Sequence, residues 1–226
     1  LKESETTLAQ RLSDSGYHTC AVVDTPFYLR DGMNYDRGFQ TFLAHPGQEG
    51  SGTKVLTKGH HESQDIRAAW RYESDRNAPR TFINAMQWLE RHYKEDFFLY
   101  IDTWDPHEPW DAPAYYTEHY WPGYDGEIIE PIYGNWKDIP SFSKEKLLKS
   151  HATYCGEITM VDTWLGYFLT QVENMDLLEK TAIIFTSDHG FYFGEHGGIF
   201  GKMVFEKRTD GTYPPLEGWD DPKGGG

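Results

Sequence analysis

Residues Thr181 to Lys202 read TAIIFTSDHGFYFGEHGGIFGK. The stretch opens as a run of β-branched and apolar residues, Ala182 to Thr186. It then turns at Ser187 into Asp188, His189, Glu195, His196, five glycines and a lysine. A short apolar run bounded by turn residues predicts a buried strand. What leaves the end of that strand is rich in groups that bind metals and anions.

The residues on its amino side say what kind of sheet would hold it. Leu147, Tyr154, Ile158, Val161, Leu165, Phe168 and Val172 recur at helical spacing and predict a long amphipathic helix before the strand. The same helix-then-strand unit is expected twice earlier. Leu1, Leu8 and Leu12 share one helical face ahead of Gly16 and HTCAVV, and Phe82, Met86, Leu89 and Tyr93 precede DFFLYIDTW. Asp31 to Gly59, rich in glycine and charge, reads as a loop. Helices alternating with apolar strands predict an α/β fold with a mainly parallel sheet and helices on both faces. In such sheets ligands gather outside the carboxyl ends of the strands. The three strand exits are Asp24-Thr25-Pro26, Asp102 to His107 and Ser187 to Gly190.

Composition narrows the classes. The chain has 226 residues, 38% hydrophobic and 16% aromatic, enough for a substantial core despite a mean hydropathy of -0.69. A net charge of -15 without clustered Lys or Arg argues against nucleic-acid binding. No apolar run is long enough for a membrane span. Cys20 and Cys155 have no metal-ligand spacing and both read as buried thiols.

Two strand exits carry chemistry. Adjacent Asp188 and His189 suit a divalent cation, with oxygen favouring Ca²⁺ or Mg²⁺ and nitrogen admitting Mn²⁺, Fe or Zn²⁺. The plainer reading is an Asp that caps the following turn beside a solvent-facing His. The glycines after them permit close backbone approach to a ligand or simply make a loop. Lys202 either sets an ammonium against an anion or is a solvated surface charge. In WDPHEPW, Trp104 to Trp110, prolines flank His107-Glu108 and hold the imidazole rigidly, as a general acid near neutral pH requires. A His capping a neighbouring carbonyl is the alternative.

SDHG after a β-run, then GEHG and FGK, together with DPHEPW and RLSDSGYHTCAVV…YDRGFQTF, resembles the sulfatase family of the alkaline phosphatase superfamily. The resemblance implies a metal-dependent hydrolase of sulfate esters whose hydrated formylglycine attacks sulfur. It implies Asp188 and His189 as metal ligands, His107 and Lys202 as catalytic residues, and His107, His196 and Lys202 as contacts to the substrate. The implied cation is Ca²⁺, with Mn²⁺ or Mg²⁺ as alternatives, and the implied compartment is periplasmic, secreted or lysosome-like. Neither cysteine stands in the C/S-x-P-x-R motif that yields formylglycine, so that group is expected in a missing N-terminal segment. VVDTPFY, Val22 to Tyr28, stands where many sulfatases carry a Lys and a His beside the nucleophile. Residues 1–226 are expected to form part of a single sulfatase-like catalytic domain, incomplete at both ends and inactive alone.

The aromatic stretch from Asp105 to Pro140 either stacks on sugar faces, which points to a carbohydrate sulfate ester, or packs on its own domain. Two further functions stay open. One is a phosphodiesterase or phosphonate monoester hydrolase of the same superfamily. The other is a non-catalytic, metal-stabilised carbohydrate-binding relative.

Overall fold

A strand buried on both faces and both edges must be almost wholly apolar, and the sequence CAVV at 20–23 meets that demand. In the computed structural model, which describes residues 1–30, 32–45, 47 and 69–202, these four residues are completely buried. They belong to β1 (His18–Val23), the centre of a three-stranded parallel sheet ordered β2-β1-β3, with β2 Thr41–Ala44 and β3 Phe97–Asp102. The fold is α/β, as the alternation predicted.

Helix α1 (Leu8–Asp14) precedes β1 and α2 (Asn77–His92) precedes β3. On α2, Phe82, Ala85, Trp88 and Leu89 are buried, a spacing that makes one apolar face. Ala85 and Trp88 pack on Cys20 and Val22, while Leu89 joins Val172 and Leu177. On α1 the expected face is wrong. Leu1 lies outside the helix and Leu8 is exposed, leaving Ala9 as the buried residue. The helix starts at Leu8 because Thr7 and Gln10 form a capping box. The Thr7 hydroxyl accepts from the Gln10 N–H at 3.0 Å, and the Thr7 N–H donates to the Gln10 side-chain oxygen at 2.9 Å.

β2 falls inside the stretch read as a loop, whose positions 31, 46 and 48–59 lie outside the described residues. Its four residues are too few to show a period, and they become a strand because β1 offers them an open edge from Cys20 to Val23. YDRG, just before it, ties the sheet to α1. The Arg37 guanidinium donates to the carbonyls of Lys2, Glu3 and Glu5. A Cβ on Gly38 would lie 2.1 Å from the Gln10 nitrogen.

The described residues pack as two units, the first from Leu1–His107 with Glu157–Ile183. The second takes Glu108–Gly156 and the chain from Ile184. It holds α3 (Ala114–Glu118) and a small antiparallel sheet ordered β4-β6-β5, with β4 Gly134–Asn135, β5 Tyr192–Phe193 and β6 Ile199–Gly201. Trp110, Leu147 and Phe200 form its buried centre. The long predicted helix is present as α4 (Lys144–Asn174), with residues in both units.

The strand expected at Thr181–Ser187 does not form among the described residues. Ile183, Ile184 and Phe185 are 52%, 87% and 80% exposed, and the run joins neither sheet. β-branched composition creates only the capacity for a strand, and a strand exists when a second backbone pairs with it. Cys20 is buried as expected, and burial pushes its thiol up to about 12. Cys155 is half-buried rather than buried, its sulfur 3.8 Å from the nearer His151 ring nitrogen.

Candidate active site

The carboxyl ends of β1 and β3 are joined by one carboxylate. Asp24, 1% exposed, accepts from the Trp104 N–H at 2.8 Å and the hydroxyls of Thr103 at 2.9 Å, Thr25 at 3.1 Å and Thr81 at 3.4 Å. Burial pushes its carboxyl up to about 6, and the Trp104, Thr103 and Thr25 donors limit the rise. Asp105 is also buried and accepts from the Ala78 N–H at 3.0 Å, satisfying a free donor in the first turn of α2. Sequence reasoning noted both strand exits but missed these roles. A polar residue directly after a fully apolar strand was the available signal.

His107 sits one turn further on. Its N–H donates to the Trp104 carbonyl at 2.9 Å, and its half-buried ring lies 4.7 Å from the Trp104 indole. Trp104 in turn stacks on Tyr28 at 4.9 Å and 13°. His107 is therefore held by a tight turn and by a ring contact to Trp104. Tyr28, from VVDTPFY, supplies the outer ring of this stack.

In the second unit, Asp188 and His189 interact with each other. Asp188 Oδ1 accepts from the His189 N–H at 2.8 Å, and Oδ2 lies 3.4 Å from His189 Nε2. Their side chains are 84% and 51% exposed, so both donors are open to solvent. One carboxylate oxygen and one imidazole nitrogen are thus the ligand atoms the pair offers to a cation. Among the described residues no third His, Cys, Asp or Glu completes a cluster around them.

The glycine-rich loop is a hairpin turn between β5 and β6, with the Gly194 N–H donating to the Ile199 carbonyl at 2.7 Å. Gly198 is needed there, since its φ is +126° and a Cβ would lie 2.4 Å from Asn135 Oδ1. The glycines thus serve a hairpin and a close side-chain approach. His196 occupies the turn, exposed, at φ +52°, with its ring edge-on to Tyr192 at 4.9 Å.

Lys202 is no solvated surface charge. Its Nζ lies 3.1 Å from Glu108 Oε1, and the two side chains are 17% and 8% exposed. Burial raises the Glu108 pKa and Lys202 opposes the rise. Glu108 was not singled out from sequence, although it stands between His107 and a proline in the same motif. Trp110, from the aromatic stretch, is 1% exposed and packs on Phe191, Tyr154 and Phe193. It belongs to the core and is unavailable to a sugar.

The match to known families decides what this arrangement belongs to. The sulfatase family model matches residues 1–222. The chain belongs to the sulfatase family. An arylsulfatase of Clostridium perfringens is 26% identical over 89% of this chain and 50% of its own length. Human iduronate 2-sulfatase is 29% identical over 50% of this chain and 25% of its own length. The fold is shared with the phosphonate monoester hydrolase of Agrobacterium radiobacter at a TM-score of 0.64 and 20% identity, over 94% of this chain and 52% of that one. This sulfatase chain spans about half the length, or less, of such relatives. Among its described residues no helix is long and apolar enough to cross a membrane.

Proposed function

We propose that this chain is part of a single sulfatase catalytic domain that hydrolyses sulfate esters at a divalent-cation site, with Asp188 and His189 as two of the ligands and Ca²⁺ as the cation. The carrying observation is the 3.4 Å pairing of Asp188 Oδ2 with His189 Nε2, solvent-facing, inside a segment matched by the family. Bound there, a cation would supply positive charge for the ester's anionic oxygens. The nucleophile, a formylglycine in the family reading, is assigned to a part of the domain outside this chain.

His107 has the chemistry to protonate the departing oxygen, and the Trp104 contact orients its ring for that role. Lys202 is the ammonium that meets the sulfate, with Glu108 fixing its position and keeping its charge in a shielded setting. His196 stands at the substrate mouth. A sulfated sugar is the favoured substrate class. The exposed ring of Tyr28 and the substrate named for the human relative support it.

The test uses the full-length protein carrying Asp188→Ala. Loss of bound Ca²⁺ together with loss of aryl sulfate turnover is expected. Full metal content with unchanged turnover would sink the assignment and leave Asp188 as a turn cap. Phosphonate and phosphate diesters assayed in parallel distinguish the neighbouring chemistry of the superfamily, which predicts faster turnover of those esters. Sugar binding without turnover of any ester would indicate a non-catalytic relative.

A further inference from the structure

Far from the strand exits, at the amino end of the parallel sheet, three metal-competent side chains meet. His18 is the first residue of β1, His92 the last of α2, and Glu95 lies in the turn that leads from α2 to β3. Glu95 Oε2 is 2.8 Å from His92 Nδ1 and 3.4 Å from His18 Nε2. Ligand atoms from all three lie within 4.8 Å of one another. Asp24 lies six positions beyond His18 along an extended strand, which puts the cluster roughly 20 Å from the buried carboxylate at the other end of β1.

Each ligand is fixed by backbone structure rather than carried on a free tether. The His18 N–H donates to the Asp96 carbonyl at 2.8 Å, which locks the start of β1 to the start of β3. The Glu95 N–H donates to the His92 carbonyl at 3.0 Å, closing the turn that brings their side chains together. The His92 ring stacks on Trp88 at 4.4 Å and 24°, and Trp88 is itself 5% exposed in the core. The His18 and His92 rings lie 5.5 Å apart at 31°. Solvent access remains, since the side chains of His18, His92 and Glu95 are 47%, 27% and 42% exposed.

From this geometry we infer that His18, His92 and Glu95 form a second metal site, selective for a late first-row divalent cation such as Zn²⁺. Two imidazole nitrogens and one carboxylate oxygen are a donor set that suits Zn²⁺ and is poor for Ca²⁺, which takes six to eight oxygens. Tetrahedral Zn²⁺ with bonds near 2.0 to 2.1 Å places its ligands roughly 3.3 Å from one another, so small ring rotations convert the observed cluster into three coordination positions. Water fills the fourth. A cation here would cross-link the start of β1 to the end of α2 and so stabilise the sheet without touching the strand exits.

The test titrates the purified protein with Zn²⁺ alone while Ca²⁺ is saturating, reading bound zinc by equilibrium dialysis and the thermal midpoint in parallel. Expected is one zinc per chain and a raised midpoint. Both should be lost in His18→Gln and His92→Gln, and binding weakened at least about tenfold in Glu95→Gln. Asp188→Ala should keep this zinc, which separates the site from the one proposed for catalysis. Midpoints measured in EDTA show whether the variants fold. If either His variant fails to fold, Glu95→Gln and the other His variant carry the test. Zinc stoichiometry unchanged in the folded variants, or no zinc bound by the parent protein, would overturn the proposal.

Discussion

Lys202 Nζ and Glu108 Oε1 form a 3.1 Å ion pair shielded from water, with Lys202 17% and Glu108 8% exposed. Such a pair is costly to break from one side, because the carboxylate stays buried after losing its 3.1 Å ammonium partner. It also sets the position of the one lysine that the sulfatase reading assigns to the ester.

Lys202→Met should therefore destabilise the protein by about 3 kcal/mol at pH 8, in the range for removing one partner of a shielded pair. Burial already raises the Glu108 pKa and Lys202 opposes it, so the variant's carboxyl should rise further. Between that raised pKa and the ordinary carboxylate range, the folded state binds more protons than the unfolded state. Stability of the variant should then recover as pH falls toward 5. Denaturant unfolding at several pH values reads this directly, and a loss independent of pH would show that Glu108 carries no uncompensated charge.

Asp24 and His45 pull stability in opposite directions with pH. Burial pushes Asp24 up to about 6, so its folded state takes up a proton before the unfolded chain does, and its contribution grows as pH falls from 6 toward 4. His45, 6% exposed, is lowered to about 4 by burial and by the charge of Arg80. The unfolded chain protonates it first, so its contribution is lost as pH falls from about 6.5 toward 4. The parent should show a shallow dependence across this window. Asp24→Asn, which keeps a side chain of the same shape, should uncover a loss of up to about 3 kcal/mol on acidification. An equally shallow curve for the variant would count against the two opposing titrations.

His107→Ala in the full-length enzyme should slow alkyl sulfate hydrolysis on the order of 10²- to 10⁴-fold, as removal of a general acid does. Esters with acidic phenol leaving groups need less protonation and should lose less. Measuring kcat across a series of leaving groups checks this. An equal loss for every ester would give His107 a role in binding or structure instead.

Gly38→Ala should destabilise the first unit more than an ordinary surface substitution. The residue has φ +91°, and the added Cβ would press against the backbone nitrogen of Gln10. Thr7→Ala, which removes the α1 cap, should cost about 1 kcal/mol. Unfolding midpoints of the two variants should rank Gly38→Ala as the worse, and a neutral Gly38→Ala would mean that α1 moves away at little cost.

Periodicity along the chain was enough for the α/β class, for α2 and α4, and for β1, because a helix face or a continuous apolar run is written locally in residues such as Phe82, Leu89, Cys20 and Val22. The motifs were enough to give the family, and the resemblance nominated His107, Asp188, His189, His196 and Lys202 as its candidates. Contacts between residues distant in sequence decided the rest. Glu108 claimed Lys202, Asp24 drew in Thr81, Thr103 and Trp104, and His18 met His92 and Glu95. β2 formed because an edge of β1 was open to it, whereas Ala182 to Thr186, the more strand-like sequence, has no backbone paired with it among the described residues. Propensity belongs to a residue, but a hydrogen-bonded ladder and an ion pair belong to two, and the second partner is chosen only when the chain folds.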